Sequence, residues 1–153
     1  MARPVAATPP AVQTVDTRFL ESLMGYNARR ASLAIISRFL AEMAVYDLRP
    51  VDFSVLSLIT HNPGITSRQL CSALGLLPPN LVGMINALEN RQLIERQLHP
   101  VDRRAMALHL TPKGRALMAE AEVTAAKLEH KATAKLTPSE SKTLLRLLRK
   151  IYL

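Results

Sequence analysis

Apolar positions in the first third of the chain recur at helical spacing, and the first proline to interrupt them is Pro50. Residues 15–46 contain no proline. One set of side chains there falls on a single helix face: Phe19, Leu23, Tyr26, Arg30 and Leu33. A second set extends the apolar surface around the helix: Ile35, Ile36, Phe39, Leu40 and Met43. The pattern predicts one long helix over residues 15–46. Because a helix that is apolar on most sides must be covered, the pattern also predicts burial against a second copy of the chain.

Residues 50–91 are predicted to form three shorter helices, each marked by a start or stop signal. Pro50 suits a first helical position, and Thr66 with Gln69 three residues later makes a capping box. Gly75 suits the tight turn that ends the second of these helices, and Pro78 starts the third. Spacing places four apolar residues of that third helix inward: Leu81, Met84, Ile85 and Leu88. Six others are left outside: Asn80, Val82, Gly83, Asn86, Ala87 and Asn90.

The rest of the chain predicts a two-stranded ribbon followed by two helices. Residues 93–98 and 105–110 are predicted to form two strands, and the loop between them contains Asp102-Arg103-Arg104. Thr111 caps a helix to about residue 136, and Thr137 with Glu140 forms a capping box for the last helix. The fold class is therefore mainly α with a small β-wing, a winged helix-turn-helix over residues 50–111. Residues 1–13, rich in Ala and Pro, are predicted to be a disordered tail before a single domain at 14–153.

Charge and cysteine content narrow the class of protein. The 153 residues carry 20 Lys and Arg against 12 Asp and Glu, giving a formal charge of +8, which favours DNA, RNA or an acidic membrane surface as partner. One cysteine cannot form an internal disulfide, so a cytoplasmic location is expected. No apolar run approaches the roughly 18 residues that span a bilayer. The N-terminus lacks the order of a signal peptide, and no membrane association is expected.

Enzyme and metal chemistry find no support in the sequence. It has no Gly-rich phosphate loop, no nucleophile elbow and no carboxylate pair on one predicted element. The four histidines show no metal-ligand spacing: His61, His99, His109 and His130. We therefore expect no catalytic activity, no cofactor and no metal.

Three stretches resemble the MarR family of bacterial transcriptional regulators. These are residues 25–32 (GYNARRAS), residues 88–96 (LENRQLIER), and Asp102-Arg103-Arg104 followed by residues 110–114 (LTPKG). The last is the most specific, and the resemblance covers about residues 15–153. It implies a homodimer with dimerisation helices at residues 14–46 and 112–153. It also implies that two winged helices read a pseudo-palindromic operator, and that a small anionic aromatic compound releases the DNA from a repressor.

The chain departs from the family pattern at three places. Gln92 stands where a turn glycine is usual, which predicts a strained turn before the wing. Arg49 stands where a Thr or Ser cap is usual. Val82 and Gly83 stand where polar or basic residues often face the bases, so few bidentate contacts are expected from this helix.

The candidate DNA contacts follow from helix face and from charge. On the third short helix, Asn80 and Asn86 are suited to adenine edges or phosphate, and Val82 to a thymine methyl. Gly83 would permit close approach, and Asn80 alternatively supports only the helix start. These residues, together with Pro79, sit toward the N-terminal end that enters the major groove in such motifs.

Arginines at the ribbon tip suit a narrow minor groove, and the alternative is an ordinary solvated turn. By the resemblance, Asp102 orients the loop and Arg104 reaches the groove, with Arg103 beside it. Arg68, Arg91 and Arg96 are candidate phosphate contacts, and the alternative for each is plain surface charge. Six to ten phosphate contacts per dimer would make affinity fall steeply with salt.

Arg30 suggests an effector site, because it shares a face with Tyr26 and apolar residues. One reading is a pocket in which Arg30 binds a carboxylate and Tyr26 adds a ring and hydroxyl. The other is a structural ion pair with a glutamate. Arg29, Asn27, Ser32 and Phe53 are weaker candidates for the same pocket. The predicted ligand is an aromatic carboxylate of benzoate or hydroxypyridine-carboxylate size.

Two alternatives to a ligand-released repressor remain. Cys71 could sense oxidants, although a small buried apolar role fits it as well. A winged helix can also bind protein partners instead of DNA. An acidic face would favour that function, and the third short helix has no acid between Pro78 and Leu88.

Overall fold

The computed structural model describes residues 14–101 and 104–153. The predicted tail at residues 1–13 lies outside the described residues, as do Asp102 and Arg103. The chain divides into two compact units, Met1–Leu33 and Ala34–Leu153, and each unit is described by itself.

The prediction of one continuous helix over residues 15–46 is wrong. The structure has a single turn, α1 (Arg18–Glu21), and then α2 (Met24–Met43). The side-chain amide of Asn27 donates to the carbonyl oxygens of Glu21 and Leu23, at 2.7 and 2.8 Å, and the Ser22 hydroxyl donates to a carbonyl of α1. Side-chain donors thus compete with backbone N–H groups for the carbonyl oxygens at the break between the two helices.

Helix α3 (Pro50–His61) follows a 3₁₀ turn at Ala44–Tyr46. Its cap comes from Asp52, whose buried carboxylate accepts from the backbone N–H of Arg49 at 3.3 Å and from the Arg49 guanidinium at 2.8 and 3.1 Å. These bonds raise the pKa of Arg49. The arginine at the cap position is therefore accommodated by the acid three residues later, which replaces the usual Ser or Thr.

The helix-turn-helix forms as its local signals predict. Helix α4 (Ser67–Leu74) starts with the Thr66–Gln69 capping box and ends at Gly75, whose φ is +62°. Helix α5 (Pro78–Asn90) turns its predicted apolar side inward, with three residues fully buried: Leu81, Ile85 and Leu88. On α4 only Leu70 is buried, and Ala73 is exposed, because only one face of this two-turn helix meets the core.

The wing is the larger part of a three-stranded antiparallel sheet. Strands β2 (Ile94–Leu98) and β3 (Met106–Leu110) each begin one residue later than predicted. A two-residue strand, β1 (Ile65–Thr66), pairs with the other side of β3, giving the order β1-β3-β2. The sequence did not predict β1, because two residues are too short to show a period of two.

The turn before the wing contains Gln92 at φ +60°, so the expected strain is confirmed. This left-handed conformation costs a residue with a Cβ about 1 kcal/mol or more. Bonds on both sides hold it: the Gln92 N–H donates to the carbonyl of Glu89 at 2.8 Å, and the Thr111 hydroxyl donates to the carbonyl of Gln92 at 2.6 Å.

Gln92→Gly should raise the free energy of unfolding by about 1 kcal/mol, because glycine adopts this conformation without the Cβ penalty. Urea denaturation would measure the change. Gln92→Ala keeps a Cβ at the same φ and serves as the matched control, with no gain expected. Equal stability of the two variants would show that the turn relaxes at no cost.

Two helices complete the chain. Helix α6 (Pro112–Ala132) ends four residues before the predicted position, at turns over residues 133–136. Helix α7 (Pro138–Tyr152) starts with the predicted capping box, and the Thr137 backbone N–H and hydroxyl lower the pKa of Glu140. Helix α7 buries none of its residues.

The core lies where the C-terminal end of α2 meets α3, α4, α5, the sheet and α6. Its buried members are Phe39, Met43, Leu48, Val55, Leu56, Ile59, Leu70, Leu81, Ile85, Leu88, Leu93, Ile94, Leu108, Leu110, Met118, Ala121 and Leu128. Over residues 14–101 and 104–153, no single helix has the length and apolarity to cross a bilayer; only α4 and α5 together, bent by 116°, meet that criterion by length and composition.

Candidate nucleic-acid interface

The outward face of α5 is polar, small and free of acids over its first two turns. The five residues predicted there are all exposed: Pro79, Asn80, Val82, Gly83 and Asn86. Val82 exposes 54% of its surface, which is high for an apolar side chain in a helix. A Cβ built at Gly83 would meet no atom within 4 Å, so this part of the helix can approach another surface closely.

The wing strand β2 contacts α5 through Arg96. One guanidinium nitrogen donates to the side-chain oxygen of Asn86 at 2.5 Å, and the other lies 3.4 Å from the Glu89 carboxylate. The sequence placed Arg96 and Asn86 on one DNA-binding surface but gave no sign that they touch. Ten residues and a turn separate them, so no local period reports the contact.

A groove of about 830 Å³ lies between the start of α4 and the wing. Arg68, Arg104 and His99 line it, together with the capping residues Thr66 and Gln69. Arg68 and Arg104 are exposed, and the groove is therefore a basic surface beside the acid-free face of α5. The rest of the predicted wing tip, Asp102 and Arg103, lies outside the described residues.

Arg91 plays a part inside the chain that the sequence did not indicate. Its guanidinium donates to the carbonyl oxygens of Asp47 and Tyr46, at 2.7 and 3.0 Å, and lies 3.6 Å from the Asp47 carboxylate. The side chain thus ties the end of α5 to the corner after α2. Backbone carbonyl acceptors leave no sequence signature, which is why a phosphate contact was predicted instead. With these donors engaged, Arg91 has less to offer a phosphate than Arg68.

The candidate effector residues fall in different units of the chain. In the unit Met1–Leu33, Tyr26 is half-buried, and Asn27, Arg30 and Ser32 are exposed on α2. The Asn27 amide is occupied at the break before α2. Among residues 14–33, no carboxylate pairs with Arg30, and the two readings of Arg30 stay open.

Phe53 belongs to the other unit, Ala34–Leu153. It lies half-buried on α3, and its ring packs edge-on against Phe39 with 5.6 Å between ring centroids. An aromatic neighbour of this kind stabilises the core and also forms a surface against which another ring can pack.

Comparison with known proteins places the chain in a family. The model of the MarR family matches residues 46–105. A Thauera aromatica protein described as a candidate transcriptional regulator of the hcr operon is 30% identical over 130 residues, which span 84% of this chain and 78% of that protein. The chain belongs to the MarR family.

Solved structures of MarR-type repressors share its fold. The transcriptional repressor CouR, bound to a 23-mer DNA duplex, matches with a TM-score of 0.86 and 38% identity, over 92% of this chain and 100% of that chain. CouR bound to p-coumaroyl-CoA matches with a TM-score of 0.81 and 36% identity, over 92% and 97%. Bordetella bronchiseptica BpsR, whose DNA binding is regulated by 6-hydroxynicotinic acid, matches with a TM-score of 0.80 and 27% identity, over 86% and 94%.

These matches confirm the winged helix-turn-helix fold and the family resemblance. The MarR relatives are transcriptional regulators, so this MarR-family chain is a transcriptional regulator and not an enzyme. Residues 14–101 and 104–153 contain no group of three or more His, Cys, Asp or Glu placed to hold a metal.

Cys71 lies half-buried on α4 of this MarR-family chain. It lines a small, mainly apolar pocket of about 250 Å³ with Arg68, Pro78, Leu81 and Val82. This packing agrees with the small apolar role that the sequence suggested. The thiol also borders the face of α5 that would contact DNA, so a modification of Cys71 would change the surface presented to DNA.

Proposed function

We propose that the protein is a homodimeric repressor that binds a pseudo-palindromic DNA operator and is released by an aromatic carboxylic acid or its coenzyme A thioester. The observation that carries the proposal is the exposed, acid-free face of α5 beside the basic groove of α4 and the wing. A helix that presents such a face to the major groove, flanked by arginines facing the backbone, is the arrangement that DNA-binding helix-turn-helix proteins use. In this role the protein would act in the cytoplasm.

Within that interface each residue has a distinct task. Base edges and the groove wall would be contacted by five residues of α5: Pro79, Asn80, Val82, Gly83 and Asn86. Among them, Val82 would offer a methyl contact to thymine. Arg68 would bind phosphate, and Arg104, with Arg103 beside it in the chain, would contact the minor groove.

A second copy of the chain is supported by apolar surface that one copy leaves uncovered. Helix α7 exposes six large apolar residues: Leu144, Leu145, Leu147, Leu148, Ile151 and Tyr152. The unit Met1–Leu33 separately exposes Phe19, Leu20, Leu23, Met24 and Leu33. Contiguous apolar surface of this kind marks an association site. CouR and BpsR belong to a family of dimers, and the proposed operator symmetry follows from a two-fold dimer.

The effector proposal rests on two relatives and on Arg30. BpsR responds to a hydroxypyridine carboxylate, and CouR binds an aromatic acyl thioester. Both ligands combine an aromatic ring with a carboxyl-derived carbonyl group, which is directly on the ring in 6-hydroxynicotinic acid and follows a double bond in p-coumaroyl-CoA. Arg30 is an exposed cation on α2 that can bind a carboxylate or the phosphates of a coenzyme A thioester. Tyr26, one turn earlier, is half-buried and can stack on an aromatic ring. Asn27 and Ser32 are the remaining proposed lining residues in the unit Met1–Leu33.

Operator binding is tested with the purified protein and the duplex upstream of its own gene. Binding should be sequence-specific, with one dimer per site, and log K should fall linearly with log salt concentration with a slope of roughly −5 to −9. Fluorescence anisotropy between 50 and 300 mM salt, with light scattering for the dimer, measures this. A protein that is monomeric, or that binds all duplexes with equal affinity at low salt, would refute the proposal.

The effector is tested by releasing the operator with benzoates, hydroxypyridine carboxylates and aromatic acyl-CoA thioesters in parallel. Arg30→Ala should bind the operator normally but require at least tenfold more ligand, because a bidentate charge-assisted contact is lost. Arg38→Ala is the matched control, since it removes an exposed positive charge from the same helix at a position outside the proposed site and should respond as wild type. If no acid or thioester releases the wild-type protein, the effector proposal fails while operator binding stands.

The redox alternative has a simple test of its own. Wild type and Cys71→Ser are treated with mild peroxide before operator binding is measured. Equal binding by both proteins before and after treatment excludes the thiol as a sensor. Loss of binding by the wild type alone would favour the redox alternative over the aromatic effector.

A further inference from the structure

We propose that Arg96 is a positioning residue for base readout, which fixes the orientation of the Asn86 carboxamide, and not a phosphate contact as its charge alone suggests. The inference rests on the proposed DNA-binding function and deepens it, because it names a residue that sets sequence preference without touching a base.

The contact between the two side chains determines which way the amide points. Arg96 donates to Asn86 at 2.5 Å. A guanidinium has donors and no acceptors, so only the amide oxygen of Asn86 can face it. The Asn86 nitrogen must then point to the other side. An asparagine at an exposed helix position would otherwise exchange its oxygen and nitrogen freely by rotation about its last torsion.

The direction of the amide matters because base edges differ in the order of their donors and acceptors. In the major groove adenine presents an acceptor beside a donor, and guanine presents two acceptors. An amide that rotates freely can match several edges, whereas an amide held by Arg96 offers one fixed order of donor and acceptor. Asn86 lies three and four residues after Gly83 and Val82, so it shares their exposed face.

The charge of Arg96 is already balanced within the protein. The Glu89 carboxylate lies 3.4 Å from the second guanidinium nitrogen. Glu89 is one turn after Asn86 on α5, so two side chains of that helix hold the guanidinium of Arg96 on the neighbouring strand. A cation paired with a carboxylate in this way releases few counterions from DNA, and its loss should leave the salt dependence of binding almost unchanged.

The test compares base preference and salt dependence in the full-length dimer. Binding-site selection from a randomised duplex is carried out with wild type, Asn86→Ala, Arg96→Met and the double variant. Met keeps an unbranched chain that replaces the aliphatic part of the Arg96 side chain but has no donors. Each single variant should relax the same one position of each half-site, lowering the preference for the favoured base by roughly tenfold. The double variant should lose no more than either single variant, and the salt slope should equal that of wild type.

Other outcomes overturn the inference. Arg96→Met could weaken binding to all duplexes alike and reduce the salt slope by about one per protomer, which is the behaviour of a phosphate contact. The two single variants could also relax different positions, or their effects could add. If wild type selects no sequence at all, the proposed function fails first. If wild type selects a site and Arg96→Met selects the identical site, only the role of Arg96 fails.

Discussion

Replacing Gly114 with alanine should destabilise the protein by about 3 kcal/mol or more, which is at the upper end of the cost of overpacking a close-packed site. Gly114 is the third residue of α6 and is buried against the turn before the wing. A Cβ built there would lie 2.0 Å from the carbonyl oxygen of Leu93 and 2.9 Å from its carbonyl carbon. Both atoms are backbone, so no side chain can rotate away.

The backbone near Leu93 has little freedom to move. Its carbonyl oxygen accepts the N–H of Thr111 at 3.1 Å, and the Thr111 hydroxyl donates to the carbonyl of Gln92. The Thr111 hydroxyl also accepts the N–H of Gly114 at 3.0 Å and caps α6. Displacing α6 to admit a methyl group would therefore break the cap and the turn together.

Urea denaturation of Gly114→Ala would measure this cost, and Gly83→Ala is the matched control. Both are glycine-to-alanine changes inside helices, but a Cβ at Gly83 meets no atom within 4 Å. The control should gain about 0.5–1 kcal/mol from the better helix propensity of alanine. Stability of Gly114→Ala within about 0.5 kcal/mol of wild type would show that α6 can shift away from the turn without loss.

Gly114 also shows what the sequence could and could not reveal. The Leu-Thr-x-x-Gly pattern marked this glycine through the family resemblance, without a physical reason. The reason is a close approach to Leu93, which is 21 positions earlier in the chain. Capping boxes such as Thr66 with Gln69 were predicted fully, because every atom involved lies within four residues.

Most of the features that sequence reasoning missed are contacts between distant positions in the chain. The tie from Arg91 to the carbonyls of Tyr46 and Asp47 joins positions more than forty residues apart. The contact between Arg96 and Asn86 crosses from strand to helix. The break before α2 is local, but it depends on competition between the Asn27 amide and backbone donors, and the apolar period runs through it unchanged.

Apolar residues on α7 were recognised from sequence, but the spacing could not say what covers them. Their exposure in one chain supports the proposed association with a second copy. The identity of the effector is a similar case. The residues on one helix face do not specify which ring or acyl group a ligand carries.

Gly83→Glu should abolish operator binding, with a loss of at least 100-fold, while the protein stays folded. A side chain introduced at Gly83 would have open space around its Cβ, and glutamate is a better helix former than glycine. A carboxylate at the centre of the outward face of α5 would meet the phosphates that flank the groove and the electronegative edges of the bases. The new side chain would prevent the close approach of α5 to DNA, and its negative charge would repel the phosphates. Both effects lower the affinity for the operator.

Two controls separate the position of the new charge from its presence. Ala119→Glu adds the same charge at an exposed position of α6, outside the helix-turn-helix and the wing, and should weaken binding only slightly. Gly83→Ala adds a methyl group without charge, and its affinity should fall between those of wild type and Gly83→Glu. Anisotropy with the operator duplex ranks the four proteins, and circular dichroism verifies their folding. Since only contact with DNA distinguishes these positions, wild-type affinity of Gly83→Glu would mean that α5 does not enter the groove.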